Sequence, residues 1–497
     1  MTRRPNILFI TADQWRGDCL GAAGHPVVRT PHLDALAGEG TVFTRHYAAC
    51  APCSPARASL YTGLYQMNHR VVANGTPLDA RFDNLALMAR RAGYDPTLFG
   101  YSDTAQDPRG RDPRDPALQG YEEVLPGFTC RQPLREDDRT WTTWLGHRGH
   151  GPDLLSDPHQ VAPEPGQRIS LNPPGYGAEE TQTAFLVEKC LDWVGEQPGN
   201  QGWFAHVSFL RPHPPFVVPE PYNRMYDPAQ VPAPIPAEGP ALDHPLPVTT
   251  RHIASAAHFH PGADGMLANL TDADFRRLRA LYYGMISEVD AQIGRLIAGL
   301  KARGQWDNTV VIFTSDHGEM MGDHGLLGKG GFYHESQHIP LILRPAGGGA
   351  AAVVDAFTSA TDIFPTLAAL LAEAPRHAPD GASLLPFLAG QTPPGWRDAA
   401  LWEFDFRHYL TPEQRQAMGV TPRQAHLMVR RGQHDHYVHF PTMPALYFDL
   451  GADPDCRSGT GQGAHPGRQA AVQALLSERM ALNDDTLANI VLGGATT

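Results

Sequence analysis

Short, nearly continuous apolar runs alternate with segments of helical periodicity as far as Leu371, and that alternation predicts an α/β fold. Asn6 to Thr11, Pro96 to Phe99, Trp203 to Leu210, Thr309 to Thr314 and Ile339 to Leu343 are runs of this kind. Strands buried on both faces of a parallel sheet read in this way. Val42-Phe43 opens a further strand or loop. Helices are expected over Thr30 to Glu39, Asn84 to Ala92, Glu179 to Val194 and from Thr361 through Leu371. The clearest runs from about Asp272 to Arg303, where Leu278, Leu281, Met285, Val289, Ile293, Leu296 and Leu300 recur at three- and four-residue steps. Thr271 is its expected N-cap.

Between these elements the pattern dissolves twice. Residues 103–182 and 219–266 are rich in Pro, Gly, Asp, Arg or His, with aromatic residues interspersed. Loops of that length in a compact enzyme serve as caps or lids. Near Gln391-Thr-Pro-Pro-Gly395 the composition shifts, which places a domain boundary there. The reading is a main α/β domain over 1–390, with a large, mostly parallel sheet flanked by helices, and a smaller α+β domain over 396–497. In the latter, Leu427 to Arg430, Tyr437 to Phe440 and Leu446 to Leu450 read as short antiparallel strands, followed by a helix from about Arg468 to Leu482.

Composition narrows the function classes. Over 497 residues the chain is 42% hydrophobic and 19% charged, as an ordinary globular protein is, and its net charge is −13. With no basic run to neutralise phosphates, nucleic-acid binding is excluded. An anionic substrate would have to find its positive charge inside the site. Six cysteines without regular spacing make no disulfide framework. The apolar run after Met1-Thr-Arg-Arg is too short for a signal peptide, and no stretch approaches a membrane span. A cytoplasmic protein with reduced thiols is expected.

The candidate chemistry centres on Cys53-Ser-Pro55-Ala-Arg57-Ala-Ser-Leu-Tyr-Thr62-Gly63. Pro55 delays a helix whose first turn is expected over Arg57 to Leu60. Cys53 would then sit at its positive end, one turn from the fixed charge of Arg57. Cys50 and Cys53 also form C-x-x-C, a redox or zinc half-site, although a zinc ribbon needs a second pair that the scattered cysteines do not supply. Asp13 and Gln14 follow the first strand, and Asp316 and His317 follow the Thr309–Thr314 strand. Both pairs lie where open α/β sheets bind ligands. A single Asp after a strand is more often a cap, but two such pairs flanking the Cys53 motif suggest a metal site. Three oxygens and one imidazole suit Mn²⁺ or Ca²⁺ better than Zn²⁺.

The C-x-P-x-R-x-x-x-x-T-G stretch resembles the signature of the formylglycine sulfatases. With Asp13-Gln14-Trp15-Arg16, Arg211-Pro-His213-Pro-Pro-Phe216, Phe313 to Glu319, Gly322-Asp-His324, Leu327-Gly-Lys329 and Glu403 to Arg407, the resemblance covers nearly the whole chain. It is to the sulfatase branch of the alkaline phosphatase superfamily, and within it to the phosphonate monoester hydrolases and related arylsulfatases. The resemblance implies an alkaline phosphatase-like fold and one divalent ion held by Asp13, Gln14, Asp316, His317 and residue 53. It also implies Cys53 oxidised to formylglycine by a formylglycine-generating enzyme. Asn74, Tyr101, His213 and Lys329 would face a small anionic ester, with His213 and Lys329 flanking the leaving oxygen as general acid and electrostatic stabiliser. Bland readings stand beside these: Lys329 solvated in its Gly-rich loop, His213 bonded to a backbone carbonyl. A homo-oligomer is also expected.

The activity so implied is arylsulfatase-type cleavage of sulfate monoesters, with phosphonate monoesters and phosphodiesters cleaved by the same site. The alternative makes phosphonate monoesters and phosphodiesters the main substrates. A non-enzymatic alternative is an anion-binding or redox protein with Cys53 unmodified. One departure bears on substrate choice. Phosphonate hydrolases tend to carry Gly-Tyr-Thr-Thr-Thr-Thr where this chain has Gly100-Tyr101-Ser102-Asp103-Thr104-Ala105. Asp103 would add a carboxylate beside the substrate's oxygens and disfavour dianions.

Overall fold

A computed structural model describes residues 4–118, 120–199, 201–459 and 465–482. Nine strands lie in the first part of the chain: Asn6–Ala12 (β1), Thr41–Tyr47 (β2), Cys50–Ala51 (β3), Pro96–Gly100 (β4), Thr129–Pro133 (β5), Phe204–Phe209 (β6), Thr309–Thr314 (β7), Leu341–Arg344 (β8) and Ala352–Ser359 (β9). Eight of them form one sheet in the order β5-β4-β6-β1-β7-β8-β2-β9. It is parallel from β5 to β7, and only β8 runs against its neighbours. This is the large, mostly parallel sheet that the apolar runs predict, and its fold is the alkaline phosphatase-like one that the resemblance implies.

Burial on both faces explains those runs. Along β1, Leu8, Ile10 and Ala12 join one core, with the helices Pro31–Gly38, Gln182–Glu196 and Asp272–Ala302. Ile7 and Phe9 join a second core on the opposite face, with the helices Leu85–Arg91 and Ile363–Leu371. The long helix opens with a capping box, in which Thr271 Oγ1 accepts the Asp274 N–H and Asp274 accepts the Thr271 N–H.

A second sheet follows β10 (Ala400–Asp405), β11 (His426–Arg431), β12 (Asp435–His439) and β13 (Leu446–Asp449), and the helix Pro466–Ala481 follows it. Its order is β13-β12-β11-β10-β3, so it ends on the two residues just before the Cys53 stretch. Glu403 stands opposite Cys50 and Phe404 opposite Ala51, in parallel register.

The two stretches read as loops hold regular pieces. β5, Thr-Cys-Arg-Gln-Pro, is an exposed edge strand whose polarity hid it. The helices Arg139–His147 and Pro245–Ile253 each bury only two side chains, too few to carry a period. The β9 strand, half exposed at the far edge of the sheet, also went unread.

One buried acid on the long helix gives a pH dependence. Burial raises the Glu288 carboxyl to about 7, although Thr181 Oγ1 donates to it at 2.6 Å. The folded chain therefore keeps a proton that the unfolded chain releases at its ordinary, lower pKa. Stability contributed here falls as pH rises from about 4.5 to 7 and is flat above. Glu288→Gln keeps the acceptor and removes the titration. It should gain roughly 3 kcal/mol over wild type between pH 4.5 and 8, read by urea unfolding. An equal difference at both pH values would contradict this.

Candidate active site

Strand register brings the site together. Thr11 of β1 lies opposite Thr314 of β7, and Asp13 and Asp316 each stand two residues further on. On the other side of β1 lies β6, whose exit carries Arg211 to His213. β4 lies beyond it, and its exit carries Tyr101. Gly100 makes that exit possible: at φ +108°, a Cβ there would stand 2.0 Å from the Ser208 carbonyl oxygen. Four strands thus deliver their carboxyl ends to one place, 300 residues apart in sequence at the extreme.

Facing these ends is the buried helix Cys53–Thr62. It starts at Cys53 itself, one turn earlier than expected. Pro55 falls within the first turn, where a missing N–H leaves no acceptor unpaired. The Ser54 N–H donates to Asn74 Oδ1 at 3.0 Å, so Asn74 closes the helix start beside Cys53.

Arg57 ties the groups together. Its Nη2 donates to Asp13 Oδ2 and its Nε to Asp316 Oδ2, both at 3.1 Å, while Nη1 reaches Ser208 Oγ at 2.8 Å. The guanidinium lies 4.1 Å from the centre of the Tyr101 ring, and the Tyr101 hydroxyl donates to Asp13 Oδ2. Cys53 Sγ is 3.0 Å from Lys329 Nζ and 3.3 Å from His317 Nε2. Lys329 Nζ also donates to Gln14 Oε1 at 3.0 Å. Gln14 is held by its backbone, at φ 66°, with the Tyr282 hydroxyl donating to its carbonyl and its N–H reaching Asp316 Oδ1.

Asp13, Cys53, Asp316 and His317 place one ligand atom each within 4.8 Å of one another, and all four are buried. Asp13 Oδ1 is buried without a hydrogen-bond donor. His317 Nδ1 bonds the Gly318 carbonyl at 3.2 Å, so it carries the proton and turns a free Nε2 lone pair inward. Two carboxylates, one of them with an orphaned oxygen, and an imidazole lone pair are a donor set for a divalent cation. Gln14 lies beside this group through Lys329.

Charge follows from burial and neighbours. Burial alone would raise the Asp13 carboxyl, but Lys329 and Arg57 among its neighbours hold it well below the usual range. Burial opposes the Lys329 charge, and the anionic neighbours around it, Asp13 and Asp316 among them, more than offset that, so its ammonium is secured. Cys53 is pushed well up by burial and then by the Asp13 charge. Reactive thiols need the opposite shift. Burial and Lys329 keep His213 neutral, with its Nδ1 on the Pro214 carbonyl at 2.8 Å and its Nε2 unprotonated. Burial raises Asp103 to about 8. At pH 7 that favours the protonated acid over the carboxylate expected from sequence, and neither oxygen makes a hydrogen bond of good geometry.

Two buried residues that sequence reasoning passed over complete the site. Glu319 accepts the Gln14 side-chain amide and the N–H groups of Met321 and Gly328, and so turns Gln14 Oε1 toward Lys329. Ser208 accepts from both Arg57 and Thr11. Polar residues inside a buried strand, Ser208 together with His206, were the available signal.

The sulfatase family model matches residues 5–373. The chain belongs to the sulfatase family. It is 40% identical over 469 residues to the multifunctional alkaline phosphatase superfamily protein PehA of Trinickia caryophylli, covering 91% of this chain and 90% of that one. An arylsulfatase of Clostridium perfringens is 27% identical over 473 residues, covering 91% and 89%. The crystal structure of the phosphonate monoester hydrolase of Agrobacterium radiobacter superposes with TM-score 0.91 at 52% identity, covering 96% of both chains. That of Silicibacter pomeroyi gives 0.88 at 40% identity, covering 96% and 94%. As a sulfatase-family member the chain is a hydrolase. Among the described residues, no helix is long and apolar enough to cross a membrane.

Proposed function

We propose that the protein hydrolyses monoanionic esters (phosphonate monoesters, phosphodiesters and sulfate monoesters) at residue 53. The observation that carries this is Cys53 at a helix N-terminus, with Lys329 and His317 within 3.3 Å of its sulfur and Asp13 and Asp316 beside it. Here Sγ marks where an oxygen of the matured side chain would lie. Oxidised to an aldehyde by a formylglycine-generating enzyme, residue 53 would supply as its hydrate one hydroxyl to displace the alcohol and one to expel the anion. Asp13, Asp316, His317 and Gln14 would hold the divalent ion, Mn²⁺ or Ca²⁺, which acidifies a hydroxyl and polarises the ester oxygens.

The chain's own residues have distinct parts. Arg57 fixes both carboxylates and screens their charge from the anionic ester. Lys329, protonated and 3.0 Å from Sγ, is the cation next to the departing oxygen and donates to it. His213, neutral with its Nε2 free, begins as an acceptor and stabilises the departing oxygen only after taking a proton. Tyr101 acts on the substrate through Asp13. Asn74 acts through the helix start, and Asp103 as a neutral donor to an ester oxygen. Residues 1–390 are read as the catalytic domain and 396–497 as the smaller one.

A charged Asp103 was the reason to place phosphate monoesters last, and burial that raises its carboxyl weakens it; sulfates ahead of phosphonates rested instead on the threonines this chain lacks after Tyr101. Identity of 52% to a phosphonate monoester hydrolase supports phosphonates first. Comparing kcat/KM for one leaving group on phenylphosphonate, phosphodiester, sulfate and phosphate monoester tests the ranking. A phosphate monoester in first place would overturn it. The redox alternative is disfavoured because Cys50 Sγ faces Ser59 Oγ at 3.4 Å and the Cys53 thiol is raised. Mass spectrometry of the Cys53 peptide should find sulfur and two hydrogens replaced by one oxygen. Asp316→Ala and His317→Ala should each lower bound metal by most of its stoichiometry. Full occupancy in both would mean a different ligand set.

A further inference from the structure

A closed circuit of polar contacts runs beside the reacting position. The Gln14 side-chain amide donates through Nε2 to Glu319 Oε2, and Glu319 Oε1 accepts the Gly328 N–H at 2.6 Å and the Met321 N–H at 3.0 Å. Gly328 leads into Lys329, whose Nζ returns to Gln14 Oε1 at 3.0 Å. The carbonyl of Gly328 in turn accepts the Met320 N–H at 2.9 Å, so the loop is pinned on both sides of its glycine. Gln14 and Lys329 look onto a cavity of about 420 Å³, which Leu246 and Phe404 also line. Glu319 is not among its described lining residues and is wholly buried. It sits behind Gln14 and acts only through its neighbours.

The backbone of Gln14 is already fixed, at φ 66° and by Tyr282 and Asp316. What remains free is the amide, whose two ends have the same shape and opposite chemistry. Its oxygen accepts from an ammonium or binds a cation, and its NH₂ group does neither. We propose that Glu319 is the positioning residue that makes Gln14 a metal ligand, by taking the NH₂ group and holding the oxygen forward. Through Gly328 the same carboxylate sets Lys329 against that oxygen. This rests on the reading above, in which Gln14 joins Asp13, Asp316 and His317 around the divalent ion. Partners standing behind a ligand in this way govern metal affinity much as the ligands do.

Positions 14 and 319 are then reciprocal: one presents a donor where the other presents an acceptor. Glu319→Gln leaves a single oxygen, and two buried backbone N–H groups claim it. The new NH₂ group faces Gln14, whose amide must turn over and set its own NH₂ against Lys329. Gln14→Glu in the same chain accepts from that NH₂ group and keeps an oxygen forward.

Mn²⁺ titration of the full chain, with the free ion read by electron paramagnetic resonance, tests this without substrate. Glu319→Gln is expected to weaken Mn²⁺ binding by about 10- to 100-fold. Adding Gln14→Glu to it should improve binding at least about tenfold more than Gln14→Glu does in the wild type, where two carboxylates would face each other. Unchanged affinity in Glu319→Gln, or an equal effect of Gln14→Glu in both backgrounds, would overturn the proposal. So would a wild-type protein that takes up no Mn²⁺. If Glu319→Gln does not fold, the double variant decides. A double variant that folds and binds Mn²⁺ upholds the proposal, and one that fails to fold or to bind overturns it. The expected coupling in a protein that hydrolyses no ester would uphold Glu319 and fail the hydrolytic reading alone.

Discussion

Cys53→Ala is expected to lower turnover by about 10⁴-fold or more, because in the proposed mechanism residue 53 carries every bond change. The same substitution should leave fold and metal content intact. Its side chain ends in a pocket shaped by the Asp13–Arg57–Asp316 network, whose contacts persist without the sulfur, while those of Lys329 and His317 with the sulfur are lost. Cys50→Ala is the matched control. That sulfur is buried three residues away against Ser59 and touches none of the reacting groups, so its loss should cost some stability and little kcat. Near-normal kcat in Cys53→Ala would end the proposed mechanism. Equal losses in both variants would restore a dithiol reading.

The second large effect is at Arg57. It is wholly buried, and both carboxylates it bridges are buried too. Removing the cation from such a network leaves charges uncompensated in a low-dielectric setting, which costs about 3–5 kcal/mol. Arg57→Ala should therefore unfold at markedly lower temperature. The deficit should grow in chelator, where Asp13 and Asp316 keep only Lys329 as a neighbouring fixed positive charge. Arg57→Lys should recover little. One ammonium cannot reproduce a planar fork that spans Asp13, Asp316 and Ser208 and also stacks on Tyr101. A full rescue by lysine, or stability indifferent to chelator, would show that charge alone matters or that no cation binds.

Much of this arrangement could be read from the chain before its coordinates. The runs at β1 and β7 were legible because strands buried on both faces must be apolar, and Asp13 and Asp316 because ionisable residues directly after such runs are conspicuous. The long helix was legible from its period and its Thr271 cap. Other features carry no such signature. Two residues at Cys50–Ala51 are too few for alternation to declare a strand, and β10 was noticed as a motif but not as its partner. The first turn at Cys53 was misread because Pro55 looks like a stop when the helix start is unknown. Asp103 was assigned a charge because sequence states a residue's identity and not its solvent. The cavity beside Lys329 was invisible for a related reason: its lining comes from places as far apart as Gln14, Leu246 and Phe404, which only the fold brings together.

The pairing of Cys50–Ala51 with Glu403–Phe404 also sets a timetable. Residue 403 leaves the ribosome 350 residues after residue 53 (403 − 53), an interval of roughly 18 to 70 s at about 5–20 residues per second. Throughout that interval the strand leading into Cys53 has no partner from the second sheet. The contacts of Glu403 with the Met67 N–H and Arg479 do not yet exist either. In the finished protein Cys53 is 2% exposed, beyond the reach of a macromolecular catalyst. If Cys53 is converted as proposed, slower translation downstream of residue 53 would lengthen the time for maturation, and faster translation would leave more of the product with an unconverted thiol.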